Sequence, residues 1–125
     1  MLHRNPDRFL ERPGREWSEA DRKLILCSPE YRNLFIRTVS EATRCGSAGL
    51  LRAIQLLGSP WGFRLCNLPP ASVSIWQGGC DPIAPPTMGH YFHHQIAASE
   101  LFVDPRAGHL TMPKWHAAEI LARFH

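Results

Sequence analysis

An acid and a histidine in the second half of the chain have the types and the spacing of an acid–base pair. Asp81 follows the apolar segment 73–76, and His109 follows a second apolar segment, 100–103. In a catalytic triad the acid fixes the tautomer of the imidazole, and the imidazole takes a proton from a nucleophile. The two residues therefore indicate nucleophilic catalysis, provided that a serine or cysteine is within their reach.

A helix between two parallel strands would bring this pair together. Residues 73–76 are β-branched and aromatic and predict a buried strand, and residues 100–103 predict a second one. The helix between them is expected to be capped by Thr87 and to bury one apolar face, formed by Met88, Tyr91, Phe92 and Ile96. With a terminal helix over 115–124, whose buried residues would be Ala118, Ile120, Leu121 and Phe124, the pattern is a parallel β-α-β-α unit. Asp81 and His109 would then lie beyond the carboxyl ends of adjacent strands, where functional groups gather in such sheets.

The first half of the chain predicts helices. A short helix is expected over 19–26. A second helix over 28–46 begins with a capping hydroxyl, a proline at its first position and an acid in its first turn. A third helix over 47–58 would form a hairpin with the second through a short connection.

The order of these motifs resembles the carboxyl-terminal portion of an α/β-hydrolase. Residues 76–85 read Trp-x-Gly-x-x-Asp-x-x-x-Pro, and residues 107–110 read Ala-Gly-His-Leu. In that fold the acid often follows the penultimate strand as Gly-x-x-Asp-x-x-x-Pro, and the histidine follows the last strand as Gly-x-Gly-His or a near variant. Four upstream segments resemble the helical lid of some bacterial members, namely 19–22, 28–30, 46–49 and 60–63.

The resemblance implies an α/β fold in one incomplete domain, with a helical lid-like segment over 1–70 and the last two strands over 71–125. It implies a serine-type hydrolase in which Asp81 is the triad acid and His109 the triad base, with no cofactor and no metal. The substrate would be small and apolar, in a pocket lined partly by Leu34, Phe35 and Trp61. Which ester, epoxide, halide or carbon–carbon bond it would cleave does not follow from the family, whose members share the triad and differ in the pocket.

Three features leave alternatives open. Asp81 precedes Pro82, and aspartate before proline is also a common turn former. Asp104 follows the second strand and is a rival acid, although it occupies no motif position. Arg106 stands where members of the family often have a glycine, so the backbone of that loop could differ.

The nucleophile of the family is not evident. Residues 45–49 match small-x-Ser-x-small, but Ser47 follows an amphipathic helix, whereas a nucleophile elbow joins a strand to a helix. A helix end followed by a helix cap explains this segment better. Cys80 lies beside the acid and is predicted to be a buried structural thiol. The chain is therefore expected to be inactive alone.

The histidines offer a hypothesis of another class, a small metal-binding protein. His90, His93 and His94 lie close in sequence, with Cys80 nearby. On the predicted helix, however, all three occupy the polar face, which favours a solvated cluster. His116 and His125 are expected at the surface as well.

Composition excludes several partners. The chain of 125 residues has a net charge of +3, and its basic residues alternate with acidic ones, which argues against nucleic acid. No apolar run approaches the roughly 20 residues of a membrane-spanning helix. The four cysteines are too widely spaced for Cys-x-x-Cys pairs and follow no secretory segment, so free thiols in a cytoplasmic protein are predicted.

Two parallel strands alone bury too little surface, and the outer edge of the first strand would be open for pairing. We therefore expect a longer hydrolase, or a complex with a chain that supplies the amino-terminal half of the fold, or a homo-oligomer through this edge. The alternative is a non-catalytic interaction module that binds a partner through the strand edge and the helical hairpin.

Overall fold

The computed structural model describes residues 17–69 and 73–123. These residues form helices and a two-stranded parallel sheet, an α/β arrangement. The helices are α1 (Glu19–Cys27), α2 (Pro29–Ala42), α3 (Ala48–Leu57), α4 (Pro86–Gln95), α5 (Thr111–Trp115) and α6 (Ala117–Ala122); the strands are β1 (Ser74–Gly78) and β2 (Glu100–Asp104). A 3₁₀ helix spans Leu65–Asn67. None of the helices in the described ranges has the length and hydrophobicity that crossing a membrane requires. Predictions that concern residues 1–16, Phe124 or His125 lie outside the described residues.

The two predicted strands pair in parallel, as expected. Ser74 lies opposite Glu100, and the register continues to the ends of both strands. Trp76 and Phe102 are direct partners, and their rings stack with centroids 4.5 Å apart. Because cross-strand aromatic pairs stabilise a sheet, the residues that predicted the strands also hold them together.

Helices cover both faces of this sheet. On one face α4 packs so closely that a Cβ on Gly89 would lie 2.7 Å from Oε1 of Gln77. On the other face the ring of His116, between α5 and α6, lies 5.7 Å from the ring of Trp76. Successive strand residues point to opposite faces, so Trp76 and Gln77 meet different layers.

The starts of the first two helices agree with the sequence. Ser28 Oγ accepts a hydrogen bond from Tyr31 N at 3.3 Å, and Pro29 is the first helical residue of α2. Ser18 Oγ accepts from Asp21 N at 3.1 Å and caps α1 in the same way. These hydroxyls satisfy N–H groups that have no partner within the first turn.

Two predicted boundaries are wrong. The second helix ends at Ala42, before Gly46, because Thr43 caps it with its backbone N–H and with its hydroxyl, which donates to Val39 O at 2.8 Å. The fourth helix is not capped by Thr87. It begins at Pro86, whose missing N–H is tolerated in the first turn.

The predicted terminal helix over 115–124 forms in part, as α6, but its predicted start and its continuity are wrong. The helix begins earlier, at Thr111, and is interrupted at His116, which separates α5 from α6. The ring of His116 is held by two carboxylates, Asp104 at the end of β2 and Glu119 in α6. The predicted burial of Ala118 and Leu121 is wrong as well, since both are exposed.

The predicted hairpin of the second and third helices does not form a packed pair. α2 packs chiefly against α1, and α1 also contacts α5. The apolar side of α3 is more than half exposed and consists of Leu50, Leu51, Ile54 and Leu57. On the fourth helix, Met88 and Tyr91 of the predicted apolar face are also about half exposed. The buried apolar side chains of the described residues are few, namely Ile25, Ile96, Ala107 and Met112.

Candidate acid–base site

Asp81 and His109 meet at the carboxyl edge of the sheet. Nδ1 of His109 lies 2.9 Å from Oδ2 of Asp81. The side chain of Asp81 is 6% exposed and that of His109 is 43% exposed. The structure thus brings the two predicted site residues into contact, with a buried acid and a partly exposed imidazole.

The loops that carry these residues approach each other closely because they contain glycine. Gly79 N, just after β1, donates to Asp104 O at the end of β2, at 2.7 Å. A Cβ on Gly78 would lie 2.6 Å from Gly108 O, a separation that real Cβ atoms essentially never show. A larger residue at Gly78 would therefore push the loop of His109 away from that of Asp81.

The second oxygen of Asp81 fixes the carboxylate. Oδ1 accepts hydrogen bonds from the backbone N–H groups of Ile83 and Ala84, each at 2.9 Å. The first of these is the pattern by which aspartate stabilises a turn. The turn interpretation and the acid interpretation are therefore compatible, because one oxygen forms the turn while the other contacts His109.

The contact with Asp81 leaves the other ring nitrogen of His109 available. An ionised carboxylate can only accept, so Nδ1 carries the shared proton, and in the neutral ring Nε2 is then an acceptor. Within residues 17–69 and 73–123, no hydrogen bond occupies Nε2. A triad base presents this atom to its nucleophile.

Asp21, in α1, is a residue of the site that sequence reasoning missed. Its side chain is fully buried, and it accepts four hydrogen bonds from the segment that carries the histidine. Three come from the backbone N–H groups of His109, Leu110 and Thr111, at 2.8, 3.0 and 2.9 Å, and the fourth comes from Thr111 Oγ1 at 2.9 Å. One signal was present, since Asp21 lies one helical turn before the buried Ile25, on the apolar side of α1.

Asp104, the rival acid, contacts another histidine. Its Oδ2 lies 3.1 Å from Nε2 of His116, while Nδ1 of the same ring lies 3.1 Å from Glu119 Oε2. The N–H of Arg106 and the ring of His116 hold the pKa of Asp104 below its ordinary value. The carboxylates of Asp104 and Glu119 raise the pKa of His116. His116 was expected at the surface, but its side chain is only 22% exposed.

Within the described residues, neither candidate nucleophile forms a hydrogen bond with His109. Ser47 stands at the N-cap position of α3, between two helices, and its side chain makes no capping hydrogen bond. Cys80 is exposed, so the prediction of a buried thiol is wrong. It lies in the turn after β1, and its Sγ donates to Pro105 O at 3.0 Å.

The other histidines and the cysteines of the described residues form no metal-binding cluster. His90, His93 and His94 are exposed, as their position on the helix predicted. Among the described residues, no group of three His, Cys, Asp or Glu side chains is placed to hold a metal ion. The four cysteines are all exposed and free.

The predicted lid residues do not line one common pocket. Trp61 lines an apolar cleft of about 740 Å³ beside α4 and stacks on Phe92 with centroids 6.2 Å apart. Leu34 lines a different cleft, and Phe35 packs edge-on against Trp17. The cleft of Trp61 does not include Asp81 or His109.

No protein-family model, curated protein or solved structure matches this chain. The resemblance to the α/β-hydrolases therefore rests on the quoted motifs.

Proposed function

We propose that this chain supplies the acid and the base of an α/β-hydrolase site. In this proposal His109 is the general base and then the general acid, and Asp81 orients it. The proposal is carried by one observation, the 2.9 Å contact between His109 Nδ1 and a buried, doubly anchored Asp81 carboxylate. An Nε2 that forms no hydrogen bond with the described residues, beyond the ends of parallel strands, is the arrangement that proton transfer to and from a nucleophile needs.

The chemistry follows from this geometry. A serine hydroxyl near Nε2 of His109 attacks an ester-type carbonyl while Nε2 takes its proton, and the imidazolium is stabilised by Asp81. Nε2 then protonates the leaving group, and a water molecule repeats the sequence to release the acyl group. Asp81 stays ionised throughout, because its role is to hold the tautomer and the orientation of the ring.

The serine and the oxyanion donors would come from polypeptide outside the described residues. The sheet supports this part of the proposal, since β1 pairs on one side only within those residues. The exposed apolar side of α3 also supports the participation of further polypeptide. In a hydrolase, a lid helix turns its apolar side toward the rest of the enzyme and the apolar substrate.

The test is kinetic and uses the polypeptide encoded by the complete reading frame that contains this sequence, with a nitrophenyl ester as substrate. Asp81→Asn is expected to lower kcat on the order of 10⁴-fold, the loss that the equivalent change causes in a serine protease. His109→Ala is expected to lower it at least as much. Asp104→Asn is the matched control, since that carboxylate contacts His116, and it should leave kcat unchanged.

Two results would contradict the proposal. One is a kcat that is insensitive to both Asp81→Asn and His109→Ala. The other is labelling of Ser47 by a fluorophosphonate, together with loss of hydrolysis in Ser47→Ala, which would place the nucleophile inside the described residues.

A second candidate function is a non-catalytic interaction module. It is favoured by the exposed apolar side of α3 and by the side of β1 that pairs with no strand in the described part of the chain. It predicts a folded homodimer or heteromer in size-exclusion chromatography with light scattering, weakened by Leu50→Glu and without hydrolase activity. Ester hydrolysis that depends on His109 would exclude it.

A further inference from the structure

We propose that Asp21 is a positioning residue for His109, so that the first helix of the lid-like segment holds the base against Asp81. The inference rests on the proposed function, because only there does His109 act as a base. It concerns a residue that touches neither substrate nor the reacting atoms and that acts through the backbone of the histidine.

The two oxygens of Asp21 have different tasks. Oδ2 accepts from the backbone N–H of His109 at 2.8 Å. Oδ1 accepts from Leu110 N, Thr111 N and Thr111 Oγ1. One oxygen thus holds the histidine itself, and the other holds the start of the helix that follows it.

This arrangement fixes His109 at two points. Its backbone is bound to Asp21 and its ring is bound to Asp81. The side chain leaves the backbone at Cα, so a displacement of the N–H also moves Nδ1 away from its partner. The geometry of the acid–base pair therefore depends on a residue 88 positions earlier in the chain.

The environment of Asp21 leaves this loop little freedom. A buried carboxylate without donors is costly, and here four donors compensate for its burial. Thr111 Oγ1 also accepts from Gly108 N at 2.6 Å, which ties the residue before the histidine into the same network. Any other position of the loop would leave a buried charge with fewer partners.

The first experiment is NMR of the 125-residue chain and of Asp21→Asn. An asparagine with its amide oxygen in place of Oδ1 still accepts from Leu110 N, Thr111 N and Thr111 Oγ1. Its NH₂ group then faces the N–H of His109, so two donors meet and that hydrogen bond is lost. We expect amide exchange of His109 to become faster on the order of tenfold or more, because a hydrogen bond to a charged group is lost. We also expect loss of the low-field Nδ1–H signal that reports the contact with Asp81, with unchanged exchange in the β1–β2 ladder.

Glu19→Gln is the matched control, because Glu19 is an exposed carboxylate on the same helix. It should behave like the wild type. Should Asp21→Asn not fold, Thr111 provides the test. Thr111→Val removes the hydroxyl between Asp21 and Gly108 at nearly constant volume and should broaden or remove the low-field signal, whereas Thr111→Ser should keep it.

The outcomes separate this inference from the proposed function. A wild-type chain without the low-field signal would contradict the hydrogen bond between His109 and Asp81. Both proposals would then fail. A wild-type signal that persists in Asp21→Asn and in Thr111→Val, with unchanged amide exchange of His109, would overturn the positioning role alone.

Discussion

Replacing Gly108 by alanine tests how closely the loop that carries His109 packs against the start of α1. A Cβ on Gly108 would lie 2.0 Å from Ser18 Oγ and 2.2 Å from Asp21 Oδ2. Real Cβ atoms essentially never come within 3.0 Å of a heavy atom outside their own chain neighbours, so the side chains of Ser18 and Asp21, the loop or α1 must move by about 1 Å. The backbone of Gly108 has no positive φ, and the effect is therefore one of contact and not of conformation.

The expected loss in the free energy of unfolding follows from the contacts that such a movement disrupts. Overpacking of a buried site costs about 1–3 kcal/mol. Loss of the bond from His109 N to the Asp21 carboxylate adds about 1.5–3 kcal/mol, as for hydrogen bonds to charged groups. We expect Gly108→Ala to lower the free energy of unfolding by about 2.5–6 kcal/mol, a large share of the 5–15 kcal/mol typical of a domain.

Urea unfolding followed by circular dichroism measures this change, with Gly49→Ala as the matched control. Gly49 lies in the first turn of α3 and has open space where its Cβ would stand, so alanine there should stabilise the chain by a few tenths of a kcal/mol, up to about 1 kcal/mol. If Gly108→Ala unfolds within about 0.5 kcal/mol of the wild type, the tight seating of the loop on Asp21 is refuted.

Three further predictions concern the helices and strands around the site. Ser28→Ala should lower the free energy of unfolding by about 1 kcal/mol through loss of the cap on α2, measured by urea unfolding. Phe102→Leu should cost about 1 kcal/mol through loss of stacking on Trp76, in the same assay. The raised pKa of His116 gives a stabilising contribution that is fully present below about pH 6.5 and is lost as the pH rises through the pKa of the folded state. The lowered pKa of Asp104 gives a contribution that is fully present above about pH 3.8 and is lost as the pH falls further. His116→Gln should therefore destabilise the chain by about 1 kcal/mol at about pH 5.5 and by less as the pH rises toward about 9, and an effect that grows with pH would contradict this.

The parts of the fold that could be predicted from the sequence are those that depend on neighbouring residues. The β-branched and aromatic residues around Trp76 predicted the first strand, and Ser28 and Pro29 predicted the start of α2. The contact between Asp81 and His109 was predictable because parallel strands bring their carboxyl ends to one edge of the sheet.

The parts that could not be predicted depend on contacts between distant segments. The start of α5 is set by Asp21, about ninety positions earlier, and the break after it coincides with His116, which Asp104 and Glu119 hold. No local pattern indicates such contacts. The exposure of Cys80 escaped prediction for a similar reason, since its thiol is bound by the backbone of Pro105, in the loop after the neighbouring strand.

The assignment of Asp81 and His109 as acid and base is tested most directly by observing the hydrogen bond between them. In proton NMR of the wild-type chain, the Nδ1–H of His109 should give a low-field signal, assigned through its ring nitrogen. Asp81→Asn should remove this signal, and Asp104→Asn should leave it in place. A wild-type chain without it, or a signal that survives Asp81→Asn, would contradict the assignment of these residues as acid and base.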